Sequence, residues 1–194
     1  MTRQQLCTLP VALVMSMGLV GATSIRPVNL EELVQISDRV FVGTVLEIRH
    51  KPGPGGLPTR VTRFGVTEMV KGQLGKSRQI DLAQIWTGSN RQQGVSPLPQ
   101  PGFFPGEEVL VFLHGDSPLG LSSPVGFGLG KLSVESVVGG RVVRLTPEQQ
   151  AILLRGLTAD DEARLGISPG RRISETIPLE KLVGWLKSRG EVSR

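Results

Sequence analysis

The chain has 194 residues, a formal net charge of +5, 39% hydrophobic and 20% charged residues, which fits one globular domain with a small appendage. Aromatic residues make up only 4%, tyrosine is missing, and Gly 25 with Pro 14 call for many turns, so the core must rest on Val, Leu and Ile, which suits β structure. The one cysteine, Cys7, lies in a segment read below as removed, which excludes disulfides, thiolate nucleophiles and Cys-ligated metals from the mature chain.

The N-terminus reads as an export signal. Arg3 supplies a positive start, Leu6 to Val20 is mostly apolar, and Val20-Gly21-Ala22 offers a cleavage site after Ala22. The apolar run is short and broken by Pro10 and Gly18, so no stable membrane span is expected after cleavage. The expected location is secreted or periplasmic, with an uncleaved signal anchor as the alternative. Removing residues 1–22 takes away one charge and leaves +4, with both signs interleaved along the mature chain.

Residues 29–37 predict a short helix. Asn29 is its cap, Glu32 completes a capping box, and Leu30, Leu33 and Ile36 mark one face. Next, "VFVGTVLEIRH" predicts a strand with Val40, Val42, Leu46 and Ile48 on one face and Phe41, Val45, Glu47 and Arg49 on the other. "KPGPGGLP" is a loop. The next strand, about Thr59 to Val70, places Phe64, Val66 and Val70 together; "RQIDLAQIW" aligns Ile80, Leu82 and Trp86. Residues 88–106 form a long loop rich in Pro, Gly and Gln, of the kind that is functional or mobile in a compact domain. The apolar run Val109 to Leu113 suits a strand covered on both faces.

"PVGFGLGKLS", Pro124 to Ser133, looks at first like a phosphate-binding loop. The spacing refuses it. Val125 stands where a P-loop needs its first glycine, and Leu132 where it needs Ser or Thr. Lys131 stands where a dinucleotide fold needs its third glycine. The alternation of Gly126, Gly128 and Gly130 with Val125, Phe127 and Leu129 reads as a strand whose glycine face admits a close backbone approach, with Lys131 running out into solvent. A hairpin on Gly139-Gly140 follows. Thr146 and Pro147 start a helix, residues 157–176 read as polar and irregular, and "IPLEKLVGWLKSRG" predicts a closing helix with Leu179, Leu182, Val183 and Leu186 on one stripe.

The predicted architecture is mainly β: a small antiparallel OB-like barrel over 23–145, with a short N-terminal helix and a helical C-terminal appendage over 146–194. A β-sandwich is the alternative.

The chemistry-bearing residues are sparse. His50 and His114 are the two imidazoles, and with Asp116 they just reach a zinc ligand count, but their spacing does not bring them together. No serine sits in a Gly-x-Ser-x-Gly turn. The acid groups Glu31-Glu32, Glu107-Glu108 and Asp160-Asp161-Glu162 read as solvated surface. No cofactor or metal is assigned. Two features point to a partner instead. Arg49 and Lys51 at the end of one strand, with Arg60 and Arg63 at the start of the next, form a basic group beside one loop that suits an anionic envelope component. Phe103 and Phe104 form either an exposed apolar contact or a plug over the barrel end. Nucleic acid is disfavoured, because only Phe64 is near for base stacking and export removes the chain from it.

The succession "VFVGTVLEI", "TRFGVTEMVKGQ", "PGFFPGEEVLVFL" and "VGFGLGKLSV", over residues 29–135, resembles a group of exported bacterial proteins of unknown function. It is similar, more distantly, to the OB-like barrels of netrin modules and tissue inhibitors of metalloproteinases. The resemblance implies a fold and carries over no catalytic residue. Those inhibitors depend on disulfides and an N-terminal cysteine, which this mature chain lacks. The expected function is a non-enzymatic exported module that binds a protein or an anionic envelope component; a hydrolase with a scattered site and a purely structural envelope protein are the alternatives.

Overall fold

The computed structural model describes residues 28–86, 102–167 and 176–191. The expected signal segment and most of the 88–106 loop lie outside the described residues. Seven strands are hydrogen-bonded into one sheet: β1 (Arg39–Pro52), β2 (Pro58–Lys71), β3 (Gln79–Ile85), β4 (Glu108–Leu113), β5 (Lys131–Val137), β6 (Gly140–Arg144) and β7 (Thr176–Pro178). The order is β3-β2-β1-β4-β5-β6-β7, and each pairing is antiparallel. The mainly β architecture with terminal helices is therefore as expected. The OB-like barrel is not closed. The two edge strands, β3 and β7, do not pair with each other, and beside β3 runs the 114–123 loop rather than a strand. Ser122 N–H donates to Ala83 C=O of β3 at 2.9 Å, and Leu113 bridges Pro124 on the other side. The arrangement is sandwich-like, with a core on each face of one open sheet.

β4 shows how one strand serves both cores. Leu110 and Phe112 point into a cluster shared with helices, while Val109, Val111 and Leu113 point into a second cluster with Phe41, Phe64 and Leu82. The unbroken apolar run of β4 is the expected signature of a strand covered twice. The helical layer consists of α1 (Leu30–Ile36), α2 (Pro147–Leu153), α3 (Ala159–Leu165) and α4 (Leu179–Glu191). α1 starts at Asn29, whose side chain accepts from Glu32 N–H at 2.9 Å, while the Glu32 carboxylate returns to Asn29 N–H at 3.2 Å. Leu182, Val183 and Leu186 of α4, with Trp185, pack on Leu30, Leu33 and Val143.

Three expectations need correction. First, β1 and β2 do not keep one alternation. Leu46 has no partner between the pairs Val45↔Phe64 and Glu47↔Arg63, and the phase of β1 flips there. Ile48 therefore joins the Phe41 and Val45 cluster rather than Val40 and Val42, and Leu46 is 48% exposed. Thr67 and Val70 of β2 are skipped in the same way, which sends Val70 to the helical side, away from Phe64 and Val66.

Second, the glycine-rich stretch is not a strand. Gly126 takes φ 60°, a single 3₁₀ turn spans Phe127–Gly130, and β5 starts only at Lys131. The expected close approach is real at one position. A Cβ on Gly130 would press on Val125 C=O, lie 2.7 Å from Val125 N, and lie 3.0 Å from Phe112 C=O. These are main-chain atoms that cannot rotate away. Gly130→Ala is therefore expected to destabilise the fold by about 2 kcal/mol, as overpacking does, while Gly128→Ala, with nothing within 4 Å, should be neutral in the same urea titration.

Third, residues 157–176 are not all irregular. Thr158 caps α3, with Asp161 closing the reciprocal box. The chain beyond 145 thus supplies β7 and most of the helical layer against the sheet.

Candidate functional site

The β1–β2 hairpin brings the expected basic residues close in sequence register but divides them between the sheet faces. Glu47 pairs with Arg63 and Arg63 with Asp81 across three strands, so these side chains share the outer face with Arg49 and Lys51. His50 pairs with Arg60 and Arg60 with Gln84, on the inward face that also carries Thr62 and Phe64.

On the outer face the charges cancel. Arg63 grips Asp81 through two bonds of 2.8 and 2.9 Å and reaches Glu47 at 2.9 Å, while Arg49 bonds Glu47 as well. The bond from Arg49, then the nearby positive charges, hold Glu47 below the usual carboxylate range; the bond from Arg63 does the same for Asp81. Such exposed pairs contribute little to stability. Lys51 is exposed. This surface is a nearly neutralised ion network with one spare positive charge, not an open basic patch. The inward face differs. Arg60 lies over the Trp86 ring at 5.7 Å, His50 meets that ring edge-on at 4.6 Å, and burial pushes the Arg60 guanidinium pKa down.

The two phenylalanines part company. Phe103 is 3% exposed and its ring stands edge-on to Phe64 at 5.2 Å, inside the core of the inward face. It is a plug, not a contact surface. Phe104 is 67% exposed. The turn that carries it is held at several points. Gly106 N–H donates to Val45 C=O at 2.8 Å, Glu107 N–H to Phe104 C=O at 3.1 Å, and Phe104 N–H to the Glu107 carboxylate at 3.3 Å.

Lys131 locks this turn from the next strand over. Its ammonium lies 2.7 Å from the Glu107 carboxylate, donates to Gly102 C=O at 2.5 Å, and sits 5.1 Å above the Phe103 ring. Ser133 Oγ completes the carboxylate's shell at 3.2 Å. Lys131 is 11% exposed and Glu107 20%, so the lysine does not run out into solvent and this glutamate is not a solvated surface group. β5 places Lys131 and Ser133 on one face because they are two residues apart, and Glu107 comes just before β4, the strand that pairs with β5 there. Glu108 in turn is paired with Arg141 at 2.8 Å.

Beside this network opens a cleft of about 510 Å³ lined by Gly102, Lys131, Ser133, Glu135, Arg144 and Gln149, among others. Arg144 makes a two-bond pair with Glu135, both bonds at 2.8 Å, so the cleft wall is polar and its charges are matched. A second cleft of about 360 Å³ lies between β3 and the 114–123 loop and is lined by Gln84, His114, Ser122 and Ser123. Ser122 Oγ donates to the backbone C=O of His114 at 2.7 Å, not to its ring.

Among the described residues no serine hydrogen-bonds to an imidazole, no imidazole hydrogen-bonds to a carboxylate, and no three His, Cys, Asp or Glu side chains converge as a metal site. Glu107, which accepts from the Ser133 hydroxyl, also accepts from a lysine and a backbone N–H, so its oxygens are already engaged. Sequence reasoning missed Glu107–Lys131–Ser133, since ordinary alternation along β5 and the acid at the head of β4 signal it only once the two strands are known to pair. No family model matches the chain, and no curated protein matches it.

Proposed function

We propose that the chain is an exported, non-enzymatic β module that binds a protein partner in the periplasm or at the cell surface, with Phe104 as the anchor and the polar cleft beside it as the rim. The observation that carries this reading is the posture of Phe104. A large ring exposed to solvent costs the free protein apolar hydration, yet here three backbone-level bonds and the Lys131–Glu107 pair hold the turn below it in one shape. A pre-ordered aromatic loses little freedom on binding, which is how interface anchors gain affinity. The cleft lined by Lys131, Glu135 and Arg144 offers matched charges for a polar rim. The apolar start at Leu6 to Val20 and the resemblance to exported bacterial proteins support export. Among the described residues no helix is long and apolar enough to cross a membrane.

The test uses the exported chain as bait against envelope extract. Phe104→Ser is expected to leave the melting temperature unchanged and to weaken capture of the specific partner at least tenfold, about 1.4 kcal/mol, within the range of an anchor residue. Identical capture by the wild type and Phe104→Ser would remove this reading.

A further inference from the structure

Most described arginines of this chain rest on an acid. Arg39, Arg49, Arg63, Arg141, Arg144 and Arg189 each have a carboxylate partner. Arg60 is half-buried and has none among the described residues. Its one hydrogen bond runs from Nη2 to Gln84 Oε1 at 3.2 Å, and its Nε–H is buried without an acceptor. A guanidinium has five N–H donors, so four are left over. The nearest acids by register, Glu47 and Asp81, are on the other face and already engaged by Arg49 and Arg63. Residues 87–101, which follow Trp86 in the chain, contain no Asp or Glu.

A second observation lies on the same face. Thr62, two residues along β2 from Arg60, is fully buried, and its Oγ1 has no hydrogen-bond partner. Unpaired polar groups are expensive to bury and are rare in native proteins. Thr62 is sealed in the core, whereas Arg60 is cationic and still reaches solvent, so it is at Arg60 that a partner group is missing. The surroundings define what fits. Trp86 is fixed at the end of β3 by its N–H bond to Pro58 C=O at 2.7 Å, and it forms a wall under the guanidinium. His50 stands against the same ring and adds a further N–H donor. With the Trp86 ring covering one side of the guanidinium, the free N–H groups suit a small planar or tetrahedral anion better than an extended polyanion.

We propose that Arg60, with His50 and Trp86, forms a binding site for one compact oxyanion, a carboxylate or a phosphate, at the inward mouth of the β1–β2 hairpin. The anion accepts from the free guanidinium N–H groups, and the bidentate geometry of arginine favours this class over chloride. The site stands apart from Phe104 and does not depend on that residue's role.

The experiment is a titration of the full chain followed by ¹⁵N NMR of arginine Nε–H and tryptophan Nε1–H signals, at constant ionic strength. Sodium phosphate and sodium glucuronate are separate arms, and sodium chloride is the control. Saturable shifts of Arg60 and Trp86 are expected in at least one oxyanion arm, with Kd below about 10 mM; which arm saturates identifies the source of the anion. Arg60→Gln is expected to weaken binding at least tenfold, and Arg63→Gln, on the opposite face, to change it less than about twofold. If neither oxyanion gives saturation in the wild type, or if Arg63→Gln weakens binding as much as Arg60→Gln, the site does not exist. The wild-type titration decides the matter even if Arg60→Gln does not fold.

Discussion

Phe103→Ala is expected to lower the stability of the domain by about 3–5 kcal/mol, the usual cost of emptying a buried phenylalanine site. The ring fills the end of the inward core, edge-on to Phe64, which is itself edge-on to Phe41 at 5.4 Å. Removing it opens a void against the Phe64 ring and takes away the apolar floor under the Lys131 ammonium. The surrounding strands cannot collapse into that void, because β1 and β4 are paired on both sides. In urea titration followed by circular dichroism, the midpoint should fall sharply while the same change at Phe104, one residue on, leaves it in place. Equal midpoints for the two variants would mean that Phe103 is not the plug described here.

How far the molecule can be read from its residues follows from the range of each signal. Local signals are legible. The Asn29–Glu32 box, the Thr146–Pro147 start and the doubly covered run Val109 to Leu113 each depend on a few neighbouring residues, and the structure has them as expected. Signals that depend on a partner strand are not. A period of two assumes an uninterrupted register, and Leu46, Thr67 and Val70 interrupt it. Nothing in "GTVLEIRH" marks Leu46 as the extra residue. In "GFFPG" both rings are equally apolar and flanked by turn residues, so which one turns inward is decided by Phe64 on a distant strand. Two features were nonetheless within reach. Arg60 and Arg63 are three residues apart on one strand, which already puts them on opposite faces. Thr158 followed by Asp161 is a cap pattern that predicts α3 in place of an irregular linker.

The same geometry explains why the candidate sites sit where they do. β1 is an interior strand from which the hairpin with β2 projects, and β4, the central strand, starts at Glu108 just after Glu107. Rigid strands therefore position both Phe104, through Glu107 and Lys131, and Arg60, through Gln84 and Trp86. Sites supported by strands are held more closely than sites on free loops. Gln84, buried in the sheet, holds Arg60 in place, and the exposed ion pairs of the outer face are energetically quiet.

Asp161→Asn is expected to destabilise the protein at neutral pH by about 2–3 kcal/mol, the cost of losing hydrogen bonds to a charged acceptor. The carboxylate is nearly buried and acts as the clasp between α3 and α4. Trp185 Nε1–H donates to it at 2.8 Å, Thr158 Oγ1–H at 2.8 Å, and Arg189 at 2.8 and 3.0 Å. The bond from Trp185, followed by those from Thr158 and Arg189, overcomes the opposing effect of burial and holds the carboxyl far below the usual range. Because the folded state lowers this pKa, the group binds protons less readily folded than unfolded. Its contribution is complete at pH values above the unfolded carboxyl pKa of about 4, and it is lost as the pH falls below that value towards the folded pKa. The asparagine variant has no such proton to bind. Wild type and variant should therefore differ by a constant amount from neutral pH down to about pH 5 and converge below about pH 4. Stability measured by urea unfolding from pH 7 to pH 3 checks this. A gap that stays constant to pH 3 would show that Asp161 acts by shape alone; a gap that widens on acidification would contradict the clasp itself.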